Sequence, residues 1–291
     1  MPKLLVRSPH VLLLQSASKL LQFVKGRLGA LFYMFSRIRL KTALKAAAAH
    51  LILSIAIAVF CAALVFGFWY PSPFDQLARG REIFLLVMVI DAVCGPLLTF
   101  IVFDRKKPRS ELWRDLAIIG LIQISALGYG ISSLMNARPV WIAFEGDRFR
   151  VVSVPDINLN QLHLAPESLQ HLSLTGPKLL GVRLATNSDA EFKESIFLAL
   201  DGVPPAFRPA RWIQYEMQVQ EIIKTARPLR NLLQKYPMQK STLDKIAIQN
   251  NLHLDRLGYM PLLAEGTLEW TVIIGLEDGK PKAYLALDAW D

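Results

Sequence analysis

The first residue that could do chemistry is an aspartate in an apolar setting. Asp91 opens "DAVCGPLLTFIVFDRKKP" (91–108) and follows "EIFLLVMVI", inside a stretch from Ile83 to Phe103 long enough to cross a bilayer. Burying a carboxylate there costs free energy, so an intramembrane acid is by default a functional residue. An intramembrane aspartyl protease needs two carboxylates sharing a site, one as acid and one as base. Asp91 is the sole acid within the candidate spans. Glu82, at the rim, stands nine residues or roughly 13 Å of helix away. One chain cannot make a dyad from them.

Other chemistries find still less. There is no G-x-S-x-G, Walker loop, Rossmann glycine pattern or C-x-x-C. His163, His171 and His253 lack metal-ligand spacing, and "HLSLTG" brings Ser and His together without a third partner. No catalytic residue, metal site or cofactor is expected, and the chain reads as a non-enzyme. What remains is structural or recognition chemistry. Pro96 cannot donate to the carbonyl of Ala92, so the span should bend there, and a polar neighbour is the usual compensation in hydrocarbon. Two readings of Asp91 stand side by side. In one, Asp91, Thr99, Gln123 and Tyr129 hydrogen-bond the spans together, Gln123 lying at the depth of Pro96 to Thr99 and Asp91 nearer Tyr129. In the other, Asp91 meets a cation from another membrane protein. Ala126 and Gly130 form a small-xxx-small pair that admits a helix, whether an internal neighbour or a partner.

These residues must be positioned by membrane-spanning elements. The chain has 291 residues, 53% of them hydrophobic, with mean hydropathy +0.32, too apolar for an ordinary soluble domain of this size. Three windows approach the length needed to cross hydrocarbon: Ala46 to Trp69, Ile83 to Phe103, and Leu116 to Met135. About 45 residues precede the first, which ends in "FGFWYPSP" without a small-x-small cleavage site, so it reads as an uncleaved signal anchor. Residues 1–45 hold nine Lys/Arg and no acid, and loop 104–115 adds five more; loop 70–81 has two. Positive charge resists translocation, which places the amino-terminal segment and loop 104–115 in the cytoplasm and residues 136–291 on the far side. Residues 136–291 contain 17 Lys/Arg and 18 Asp/Glu, a net of −1 (17 minus 18), so the overall +9 is a topology charge. Nucleic acid is not an expected partner. Both cysteines, Cys61 and Cys94, fall inside spans, which leaves the exported domain without a disulfide.

The expected fold is an integral membrane protein with three transmembrane helices followed by a periplasmic α+β domain, an antiparallel sheet with helices. The divisions are 1–45, a basic cytoplasmic segment; 46–135, the three spans; and 136–291, the periplasmic domain. "RPVWIAF" and "RFRVVSV" predict a hairpin with Gly146 in its turn, and "KLLGVRLA" a strand. "TNSDAEFKESIFLALDG" predicts a helix capped by Asn187 or Ser188 and closed by Gly202. Further helices are expected over "ARWIQYEMQVQEIIKTARP", "LRNLLQKYP" and, opened by Ser241 or Thr242, "LDKIAIQNNL". "TLEWTVIIGLEDGKPKAYLALDAW" predicts two strands about Asp278-Gly279. Arg138 and Trp141, directly after span three, could fix the exit of the chain, with Trp141 in the interfacial belt or the domain core.

"WYPSPF" at the end of span one, "DAVCGPLLTFIVF" in span two and "ARPVWIAFEGDRF" after span three occur in that order. Together they resemble the type IV pilin accessory proteins of the TfpX/TfpZ family, with similarity from about Met34 to the end, "RPLRNLLQKYP" and "LALDAW" included. The resemblance implies an inner-membrane protein of a Gram-negative bacterium acting with the pilin major subunit, with membrane lipid and with other pilus assembly proteins. Family members begin near where Met34 stands; residues 1–33 are an extension or follow from an upstream start, and "LLQFVKGRLGALFYMF" could lie on the inner leaflet. The resemblance assigns no catalytic residue. It gives the partner-binding candidates, Asp91, Gly95, Pro96, Gln123, Tyr129, Arg138 and Trp141, a pilin helix to meet. A membrane enzyme modifying pilin or an envelope substrate, and a periplasmic sensor, are the alternatives; loop 104–115 is too short for a sensor's output module.

Overall fold

The computed structural model describes residues 37–264 and 267–290; the basic stretch before residue 37, "LLQFVKGRLGALFYMF" included, lies outside the described residues. Three long helices come first: α1 (Arg37–Leu64), extended by a π-helical turn (Val65–Trp69), α2 (Gly80–Val102) and α3 (Arg109–Asn136). Their apolar spans cover Arg39–Trp69, Gly80–Val102 and Arg109–Asn136, each long enough to cross a membrane. Large apolar side chains such as Ile52, Phe60, Leu86, Leu121 and Ile124 point outward, as hydrocarbon allows and water does not. α1 and α3 each begin about two turns before the apolar windows suggest. "RIRLKTALK" and "RSELWRD" are made mostly of good helix formers, so the helix outruns the hydropathy signal.

The chain packs as two compact units. One comprises α1 up to Ile57 together with Val89–Leu127; the other comprises Ala58–Met88 and everything from Gly128. The second unit contains the carboxy-terminal domain: β1 (Pro139–Phe144), β2 (Phe149–Ser153), β3 (Lys178–Val182), α4 (Phe192–Leu200), β4 (Trp212–Ile213), α5 (Val219–Thr225), β5 (Arg227–Pro228), α6 (Leu229–Lys235), α7 (Lys240–Gln249), β6 (Leu257–Ala264), β7 (Thr267–Gly275) and β8 (Pro281–Leu285). The strand order is β4-β3-β1-β2-β6-β7-β8, with β5 paired to β6.

The two expected hairpins are present, β1–β2 and β7–β8 antiparallel. Gly146 (φ +81°) and Gly279 (φ +64°) occupy their turns in the left-handed region that glycine tolerates. The sheet as a whole is mixed, which corrects the antiparallel expectation. β1 pairs parallel with β3, and β2 parallel with β6. The chain between β1–β2 and its parallel partners is long enough for a crossover, which a hairpin reading of neighbours does not foresee. Parallel strands are covered on both faces, and all six residues of β1 are buried. Ile142, Phe144, Phe149, Met260, Leu262, Val272 and Ile274 form one core. By strand alternation the opposite face carries Trp141, Ala143, Val152, Leu180 and Trp212 over β1–β3, and Tyr259 and Ile273 under α6 and α7.

α6 begins at Leu229, where "LRNLLQKYP" starts, but the other expected helices are shortened or shifted. Asn187 and Ser188 precede α4 in a turn where Asp189 Oδ2 accepts from the Thr186 amide at 2.8 Å, and Glu191 holds the cap position. Trp212 and Ile213 pair with β3 as a short strand, and of that predicted helix Tyr215–Gln218 forms a 3-10 turn and only Val219–Thr225 is α-helical. Ser241 and Thr242 lie inside the first turn of α7, with Gln239 at its cap.

Candidate functional site

On α2, Asp91, Gly95 and Thr99 recur every four residues and form one stripe. Gln123 on α3 reaches this stripe: its Nε2 donates to Asp91 Oδ1 at 3.0 Å, and the same nitrogen lies 3.4 Å from the Asp91 carbonyl. Gly95 makes the approach possible, because a Cβ there would lie 2.0 Å from Gln123 Nε2. One turn further, Thr99 Oγ1 and His50 Nδ1 on α1 share a hydrogen bond of 2.6 Å. Two polar pairs thus tie α3 to α2 and α2 to α1. Pro96 sits beside the stripe inside an unbroken α2.

A cavity of about 500 Å³ opens on these groups. Its polar lining is His50, Ser54, Asp91, Thr99 and Gln123; the rest is apolar, with Leu53, Leu116 and Ile124 among it. A carboxylate offers about four acceptor sites. Among the described residues only Gln123 donates to the Asp91 carboxylate, so acceptor capacity remains on a group that lines the cavity. The chemistry on offer is hydrogen bonding inside apolar walls, suited to a donor or cation carried on an apolar surface.

The other sequence candidates lie elsewhere. The Tyr129 side chain is 78% exposed, while its carbonyl accepts from Ser133 Oγ. Counting depth from the apolar edges put Asp91 level with Tyr129. α3 starts before that edge, so Gln123 meets Asp91 and Gly95 instead. Gly130 receives Val87 of α2, whose Cγ1 would lie 2.5 Å from a Cβ there, so this small residue serves an internal neighbour. Arg138 is 7% exposed; its Nε donates to the Ser173 carbonyl at 2.8 Å and its Nη1 to the Met135 carbonyl at 2.7 Å. Burial pulls this guanidinium below its ordinary pKa. With Tyr70, whose hydroxyl donates to the Leu134 carbonyl at 2.9 Å, Arg138 satisfies the last turn of α3. Trp141 belongs to the domain core, edge-on to Trp212 at 5.7 Å. Sequence reasoning passed over His50, although a lone imidazole in "AAAAHLIL" was a signal.

Three long apolar helices followed by a mixed sheet with helices define a membrane protein with one folded carboxy-terminal domain. Its relatives specify the kind. A model of the fimbrial assembly protein FimB matches residues 38–79. Fimbrial assembly protein of serogroup I from Dichelobacter nodosus is 36% identical over 233 residues, covering 80% of this chain and 90% of that relative. Its serogroup E1 counterpart is 35% identical over the same shares. No solved structure matches. The chain belongs to the fimbrial assembly proteins, a family of accessory proteins of type IV pilus assembly, as the sequence resemblance implies.

Proposed function

We propose that this protein is a non-catalytic accessory of the bacterial inner membrane that binds or stabilises a type IV pilin and so supports pilus assembly or its regulation. The observation that supports this reading most is the half-satisfied Asp91 carboxylate in a cavity among the helices, within a family named for fimbrial assembly. The apolar amino-terminal helix of a pilin, held in the membrane before assembly, presents the surface such a cavity complements. A cation or donor on that helix gains most from a carboxylate in a low-dielectric setting.

The test separates binding from stability. Asp91→Asn keeps an oxygen for Gln123, and polar pairs in membrane bundles are worth about 0.6–2 kcal/mol, so protein levels should hold. Pilin co-purification should fall sharply, because the charge is gone. Asp91→Ala should also cost stability. Undiminished pilin capture by Asp91→Asn would confine Asp91 to knitting α2 to α3. Intact pilin mass should be the same in wild-type and deletion strains; a difference would place the chain among membrane enzymes.

A further inference from the structure

A second cavity, of about 510 Å³, lies at the end of the first unit and is lined by Lys41, Thr42, Leu44, Lys45, Ala46, Phe103 and Arg105. No acid lines it. Lys41 and Lys45 stand one turn apart on one face of α1, and Arg105 follows the end of α2. These three cations pair with no acid among the described residues. Their neighbours do: Arg39 lies 3.7 Å from Asp104, and Lys107 lies 2.8 Å from Asp115. Topology alone asks for positive charge at this rim, but not for three unpaired cations around one hollow.

This basic cavity adjoins the apolar one. Ala46 and Phe103 line both, so the two hollows share a wall at the end of the groove between α1, α2 and α3. We infer that the first unit holds one anionic glycerophospholipid, its phosphate against Lys41, Lys45 and Arg105 and an acyl chain passing Ala46 and Phe103 into the groove. Charge complementarity selects the headgroup, and the continuous apolar wall selects a lipid over a free anion. The acyl chain shares this groove with the proposed pilin site, but the test reads lipid with no pilin present, so its failure and that of pilin binding are distinguishable.

The full chain, purified in detergent, is offered equal amounts of phosphatidylglycerol and phosphatidylcholine of matched chains and read by native mass spectrometry. Phosphatidylglycerol should be retained preferentially. Each of Lys41→Gln, Lys45→Gln and Arg105→Gln should lower that preference about fivefold, the effect of one cation near a membrane surface. Ala46→Phe keeps every charge but fills the junction, and should lose the bound lipid. Excess inorganic phosphate should displace nothing. Equal retention of the two lipids, or an unchanged preference in all three glutamine variants, would leave the cations as topology signals only. Displacement by inorganic phosphate would make the hollow an anion site, and lipid retained by Ala46→Phe would overturn the acyl path.

Discussion

Gly95 governs the geometry around Asp91. Its missing Cβ leaves the space that Gln123 Nε2 occupies, 2.0 Å from where that carbon would lie. The obstructed atom is the tip of a flexible side chain, so Gly95→Ala should move Gln123 aside rather than strain the backbone. The expected loss is then one intramembrane hydrogen bond, about 0.6–2 kcal/mol, read by denaturant unfolding in detergent. In a Gln123→Ala background the same substitution should be nearly neutral, because the clash and the bond are both gone. Equal costs in the two backgrounds would show that Gly95 acts through something other than Gln123. At this scale the sequence exposed Asp91 as the anomaly and named Gln123 among its companions. It misplaced Tyr129 and missed His50, since contact across helices depends on where each helix begins.

Among the elements, the segment joining α1 to α2 departs most from its sequence appearance. "YPSPFDQLARGR" looks like a short polar connection, yet Phe74 and Leu77 belong to the core of the carboxy-terminal domain. Phe74 meets Tyr284 edge-on at 5.2 Å. Tyr70 packs where a Gly80 side chain would collide with its ring, and donates to the end of α3. Leu77→Ala should therefore destabilise the domain by about 2–5 kcal/mol, as for any fully buried leucine, although the residue lies in an interhelical connection. Thermal unfolding followed by tryptophan fluorescence measures it, with the exposed Met238 as control. A Leu77→Ala variant as stable as Met238→Ala would detach the connection from the core.

For the whole molecule, the charge distribution predicts an orientation. The segments before span one and between spans two and three carry 14 Lys/Arg (nine plus five), against two in the loop between spans one and two. That bias predicts reporter fusions within 1–45 and 104–115 active in the cytoplasm, and a fusion at the carboxy terminus active in the periplasm. A cytoplasmic signal from the terminal fusion would invert the molecule and remove the domain from any exported pilin head.

The sequence by itself determined what is local. Apolar run length specified three spans, and turn glycines specified the β1–β2 and β7–β8 hairpins. Motif order around the spans was enough to indicate the family, which the curated relatives bear out. Tertiary structure decided what depends on partners distant in the chain. β6 is central, paired with β2, β5 and β7, yet "LGYMPLLA" hid it, because Gly258 and Pro261 argue against a strand until its neighbours are known. "PVWIAF" carries no polar alternation, a sign that both its faces are covered, but only the assembled sheet shows the parallel neighbours that require this. Arg138 and Trp141 are, by sequence, candidates for fixing the chain's exit, with Trp141 in the interfacial belt or the domain core; burial decides between these, Arg138 satisfying the end of α3 and Trp141 filling the core. Periodicity and composition encode what a segment is; burial and pairing are decided by the rest of the chain.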